Sequence, residues 1–137
     1  MMFILNSIDG QSYVKFEIIE LESPYPSVCL KLELNDRGFS GRLSEVWIVW
    51  EDIKDFLEKS KEISNKDAFL DTINSMSPNE MIIEFRKINP EICKFKYELN
   101  KISYDKNQIH LNGSFDFGIG KLEELRLFFS ELKELLE

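Results

Sequence analysis

The chain has 137 residues, with 17 Lys and Arg against 25 Asp and Glu, a formal charge of −8 and a pI near 4.8. With 43% hydrophobic residues, eleven Phe and two Trp, it has the composition of one folded domain, residues 1–137, and not of a disordered chain. The acidity argues against nucleic acid as a partner, because phosphates need clustered Lys and Arg; the opening MMFILNSIDG is no signal peptide, and no apolar run reaches bilayer length.

Taken in chain order, alternating apolar and polar residues predict strands over about 2–6, 12–21, 27–35 and 39–49, followed by a helix over 50–63. The pattern then resumes, with strands over about 67–73, 80–88, 91–102 and 108–118 and a helix over 121–136. KDAFLDTINSM is ambiguous, since Phe69, Ile73 and Met76 also fit a helical period. Short connections bearing Gly, Pro, Asn and Asp favour hairpins and hence antiparallel pairing.

The two series read as a duplication. At an offset of 72, Gly41 falls on Gly113, Leu43 on Phe115, and Ile53, Phe56 and Leu57 on Leu125, Phe128 and Phe129. Acids fall in what reads as the first turn of each helix, where they complement the helix dipole. VCLKLELN matches CKFKYELN at an offset of 65, and YVKFEII matches IIEFRKI at 69. The expected fold is α+β: one or two antiparallel sheets built from two β4α pseudo-repeats, residues 1–66 and 67–137, with both helices on one face. The charge divides evenly, −4 in each half, and no linker stands apart by composition.

No catalytic, cofactor or metal motif emerges. His110, the one histidine, sits in a predicted strand and reads as a surface residue. Cys29 and Cys93 make neither a disulfide framework nor a zinc site; alternation turns Cys93 inward and Cys29 outward. RGFSG and FGIG match no phosphate loop. The acids Glu51, Asp52 and Asp55 lack calcium-loop spacing and read as helix capping.

Two features point to binding. SEVWIVW is apolar on both faces; if Leu43 and Trp47 face the helices, Val46 and Ile48 face outward, beside Tyr13, Glu17, Ile19 and Glu33. The segment EIIELESPYPSV places Glu20 and Glu22 next to a prolyl loop that presents Tyr25. These nine residues are the candidate partner-binding set.

The chain resembles the WapI-type immunity proteins. The resemblance runs through YVKFEIIE, the VCLKLEL and GFSG pair, DIKDFLEKSKEI, DAFLDTINSMSPNEMIIEF, IHLNGSFDF and LEELRLFFSELKELL. One departure is the lack of a Trp opening the strand SVCLKLEL. The resemblance implies a small cytoplasmic, non-enzymatic bacterial protein that neutralises a cognate toxin domain by stoichiometric binding, without cofactor or metal. The toxin partner would be basic, as nucleases are, and the protein itself a monomer or weak homodimer. The competing expectation is a small-molecule-binding or catalytic α+β domain with an apolar cavity between helices and sheet.

Overall fold

The computed structural model describes residues 1–61, 68–102 and 105–137. Four strands come first: β1 (Met2–Asn6), β2 (Ser12–Glu22), β3 (Ser27–Asp36) and β4 (Phe39–Val49), followed by α1 (Trp50–Lys59). Then come β5 (Ala68–Asn74), β6 (Met81–Lys87), β7 (Ile92–Ile102), β8 (Gln108–Gly118), α2 (Ile119–Ser130) and a last turn, α3 (Lys133–Leu136). The ambiguous segment is therefore strand over 68–74. The first helix ends at Lys59, with Ser60 as its C-cap, short of the predicted 63; residues 62–67, at the junction between the halves, fall outside the described residues.

Each half makes its own antiparallel meander, β1-β2-β3-β4 and β5-β6-β7-β8. The fold is α+β with paired sheets, and both helices lie on the inner side, where the apolar residues of both sheets meet in one core. Each helix packs on its own sheet and also reaches into the other half with its aromatic residues. Phe56 of α1 packs on Phe85 of β6, in the other half, with ring centroids 4.9 Å apart. Phe128 and Phe129 of α2 reach back to Phe3 of β1 and Phe16 of β2, at 5.6 and 6.0 Å. Phe16 also meets Phe95 directly across the sheets at 6.5 Å. Aromatic rings thus fill the space between helices and sheets, where the competing expectation places a cavity.

The duplication is visible bond by bond. Ser7 donates its N–H to Ser12 O and accepts the Ser12 N–H on Oγ, at 2.9 and 3.0 Å. Ser75 does the same with Met81, at 3.0 and 2.9 Å. The next residue in each case crosses to the other half: Ile8 N–H to Asp116 O at 2.9 Å, Met76 N–H to Trp47 O at 2.8 Å. The first N–H of each helix also finds an equivalent carbonyl, Trp50 on Pro26 at 2.8 Å and Ile119 on Glu91 at 2.9 Å.

These equivalences keep the offset of 65 between β3 and β7 but correct the offset of 72 for the last strand and helix. Trp50 corresponds to Ile119, an offset of 69, so Ile53 and Phe56 match Leu122 and Leu125. An apolar helical face repeats every three to four residues, so the match at 72 was one turn out of register. Gly41 and Gly113 are accordingly not equivalent. Gly41 instead permits a close approach of the two sheets, since a Cβ there would come within 2.8 Å of Leu111. Gly113 leaves room for the ring of its own register partner, Tyr97, whose hydroxyl a Cβ would meet at 2.5 Å, and for Asp36 Oδ2 of the other sheet at 3.1 Å. The earlier helix start also leaves the first turn of α2 without an acid. On α1 the acids do not cap: Val49 is the N-cap and makes no side-chain bond.

The second helix departs from a single run. Leu132 bonds back to Phe129 O, a tightened turn that lets both Leu132 and Leu136 reach the core.

Candidate functional site

Among the described residues no helix covers the outer face of the first sheet, and its rows follow from strand register. Ile4, Lys15, Glu33 and Arg42 form one row; Met2, Glu17 and Lys31 another; Asn6, Tyr13, Asn35 and Ser40 a third. Glu33 lies between two cations, 3.4 Å from Lys31 and 4.0 Å from Arg42. Its carboxylate is therefore partly neutralised, and the acidity of the face resides further along β2, at Glu17, Glu20 and Glu22.

Two bulges shape that end. In β2, Ile18 pairs with Leu30 but Glu20 pairs with Cys29, so Ile19 is an extra, exposed residue. In β4, Leu43 opposes Leu32 and Val46 opposes Leu30, so Ser44 and Glu45 together face the single residue Lys31. An inserted residue reverses the phase of the strand beyond it. Leu43, Val46 and Ile48 consequently all point inward, and Val46 and Ile48 are 0% and 1% exposed. The expected outward placement of these two residues is corrected: they belong to the core. Trp47 takes their place on the outer face, half-buried, in one row with Cys29 and Glu20. Val49 and Glu22 flank Ser27 in the next row.

The other predicted residues lie as follows. Tyr13 and Ile19 are exposed, Glu17 is half-buried, and Glu20 and Glu22 are exposed. Tyr25, in the turn after β2, is 82% exposed. By register, Glu17, Ile19, Glu20 and Glu22 lie at the bulged end with Trp47 and Glu45, two residues that simple alternation does not place there, and the turn bearing Tyr25 follows directly. Tyr13 and Glu33 sit towards the opposite end of the same face. The missed signal was the polar pair Ser44-Glu45 inside an otherwise alternating strand.

The electrostatics agree. Burial raises the Cys29 thiol above its ordinary range, and the neighbouring carboxylates of Glu45 and Glu20 raise it further. Burial pushes Cys93 up to about 11, opposed by Lys87. Neither thiol is poised as a nucleophile. His110 is exposed on the second sheet, with Nδ1 against Asn100 Oδ1 and Nε2 2.7 Å from the Asn112 amide. Among the described residues, no three His, Cys, Asp or Glu side chains are grouped to hold a metal, and no helix is long and apolar enough to cross a membrane.

Where the two sheets converge, a buried polar clasp joins them. Asp36 closes β3, and the turn that follows has Arg37 and Gly38 at φ of 52° and 92°, the left-handed pair of a two-residue hairpin turn. Asp36 Oδ1 accepts from Ser12 Oγ at 2.7 Å and Arg37 Nε at 2.9 Å, and Oδ2 accepts from Tyr97 of β7 at 2.6 Å. Arg37 also donates to Ser114 O on β8, at 3.3 Å. Burial alone would raise the Asp36 carboxyl; the bonds from Arg37, Tyr97 and Ser12 outweigh it and hold it below its ordinary value. Burial and the Asp36 carboxylate together push the Tyr97 phenol upward.

In comparison with known proteins, no protein family, no curated protein and no solved structure matches the chain.

Proposed function

We infer that the protein acts by binding another protein in a fixed ratio, as an immunity protein that neutralises a cognate bacterial toxin domain carrying a basic surface. The observation that carries this reading is the bulged end of the outer face, where Ile19, Trp47 and Tyr25 stand among Glu17, Glu20, Glu22 and Glu45. Aromatic residues ringed by acids suit a partner rich in Arg and Lys. The rings supply contact area and cation–π attraction, and the carboxylates steer encounter and set orientation. The resemblance to WapI-type immunity proteins and the charge of −8 support the same reading.

The test is co-expression with a candidate toxin domain taken from the neighbouring genes, followed by gel filtration and titration of the pair. The protein rescues growth and forms a 1:1 complex whose association rate falls as salt rises. Replacing Glu17, Glu20 and Glu22 together by Lys slows association about 10-fold or more and leaves the thermal unfolding of the free protein nearly unchanged. Loss of rescue with no complex overturns the reading. Full association by the charge-reversed variant moves the contact elsewhere.

A further inference from the structure

The two sheets have four edge strands, and three are protected against pairing. β1 is five residues long. β4 is interrupted by its bulge, carries Arg42 and Glu45, and gives Trp47 O to Met76. β5 is short and also bulged, between Phe69 and Asp71. Short length, bulges and charge are the devices that keep an edge from acquiring a new strand. β8 has none of them over residues 108–113. It runs eleven residues in unbroken register with β7, from Gly118 against Ile92 to Gln108 against Ile102, and QIHLNG contains no charge and no Pro.

The free part of that edge can be located. Asp116 O receives Ile8 N–H, and Ser114 O receives the Arg37 guanidinium, so even-numbered residues turn their main-chain groups away from β7. Asn112, His110 and Gln108 follow the same alternation, and their outward N–H and C=O have no main-chain partner among the described residues. Beside them runs an open groove of about 510 Å³ lined by Arg37, Phe39, Tyr97, Leu111 and Gly113. Phe39, which lines that groove, and Ile109, on β8 itself, are 72% and 70% exposed.

We propose that β8 is a self-pairing edge: two copies of the chain associate by antiparallel pairing of residues 108–112, each Ile109 entering the groove beside the other copy's Phe39. The backbone groups restrict the occupant to an extended strand. β8 itself alternates as that strand must, with Gln108, His110 and Asn112 on one side and Ile109 and Leu111 on the other. A two-fold axis then sets polar against polar and apolar against apolar. Because the paired segment is uncharged, two molecules of charge −8 meet through it without setting like charges opposite one another. The contact is small, so the dimer is weak and concentration-dependent. It leaves the outer face of the first sheet open in both copies and is independent of the reading proposed above.

Sedimentation velocity of the full chain from about 10 µM to about 1 mM, the weak end of specific association, tests this. Dimer grows with concentration and also with added salt, which screens the repulsion between the two acidic bodies. That is the opposite salt response to binding a basic partner. Ile109→Lys, at an exposed side chain, and Asn112→Pro, which removes an edge N–H, each weaken association about 10-fold or more, with unchanged circular dichroism. A chain that stays monomeric over the whole range, or a dimer that persists in both variants, overturns the proposal. So does a chain that remains monomeric while binding an unrelated alternating Val-Thr hexapeptide at this edge, because the site then accepts a foreign strand.

Discussion

Asp36 is ionised in a nearly dry place, and its three neighbours make that possible. A carboxylate withdrawn from water is tolerated only when its oxygens are bonded and its charge is offset; Ser12 and Tyr97 supply the bonds, and Arg37 supplies both. Asp36→Ala leaves the Tyr97 hydroxyl and the Ser12 hydroxyl without their acceptor, at an expected cost of roughly 3 kcal/mol in urea unfolding. The folded-state carboxyl titrates below its ordinary value of 3.8. Its stabilising contribution is therefore complete above that value and is lost as pH falls through the lower folded-state value. Urea midpoints followed from about pH 5 to about pH 2 should fall less steeply in Asp36→Asn than in the parent chain. An equally steep fall would show that the clasp does not set the acid limit.

The strands were largely legible in the sequence, and the bulges were not. β1 to β4 lie within about one residue of the alternation-based expectation, because a half-buried strand must write its two faces in period two. A bulge adds a residue without changing composition, so the phase beyond it reverses silently, and Val46, Trp47 and Ile48 exchange faces. The acids of the proposed binding end are readable because charge needs no phase, whereas simple alternation turns Trp47 inward because its side depends on the bulge. The helical register failed for a related reason: a face that recurs every turn fits equally well one turn away. Val46→Ala and Ile48→Ala are expected to cost about 2 and about 3 kcal/mol in urea unfolding. Tyr13→Ala, on the outer face, should stay within about 0.5 kcal/mol. Similar values at all three positions would contradict the reversed phase.

At the scale of the whole molecule, the two halves share one interior. Phe16, Phe56, Phe85, Phe95 and Phe129 form a chain of ring contacts that passes from sheet to sheet through both helices. Cutting the chain between residues 61 and 68 exposes that surface on both fragments. Each fragment alone should lack a cooperative urea transition, and mixing them should restore the circular dichroism of the intact protein in a 1:1 complex. A fragment that unfolds cooperatively as a monomer would mean that its sheet and helix are sufficient by themselves.

The reach of each helix into the other half bears on ancestry. A chain of one repeat would have carried a helix with part of its aromatic ridge aimed at a sheet it did not possess, so it could have been complete only beside an identical twin. Joining two such copies in one chain would make that meeting intramolecular and free it from dilution; in the present chain the halves differ, one outer surface bearing acids and rings and the other half a bare, regular margin.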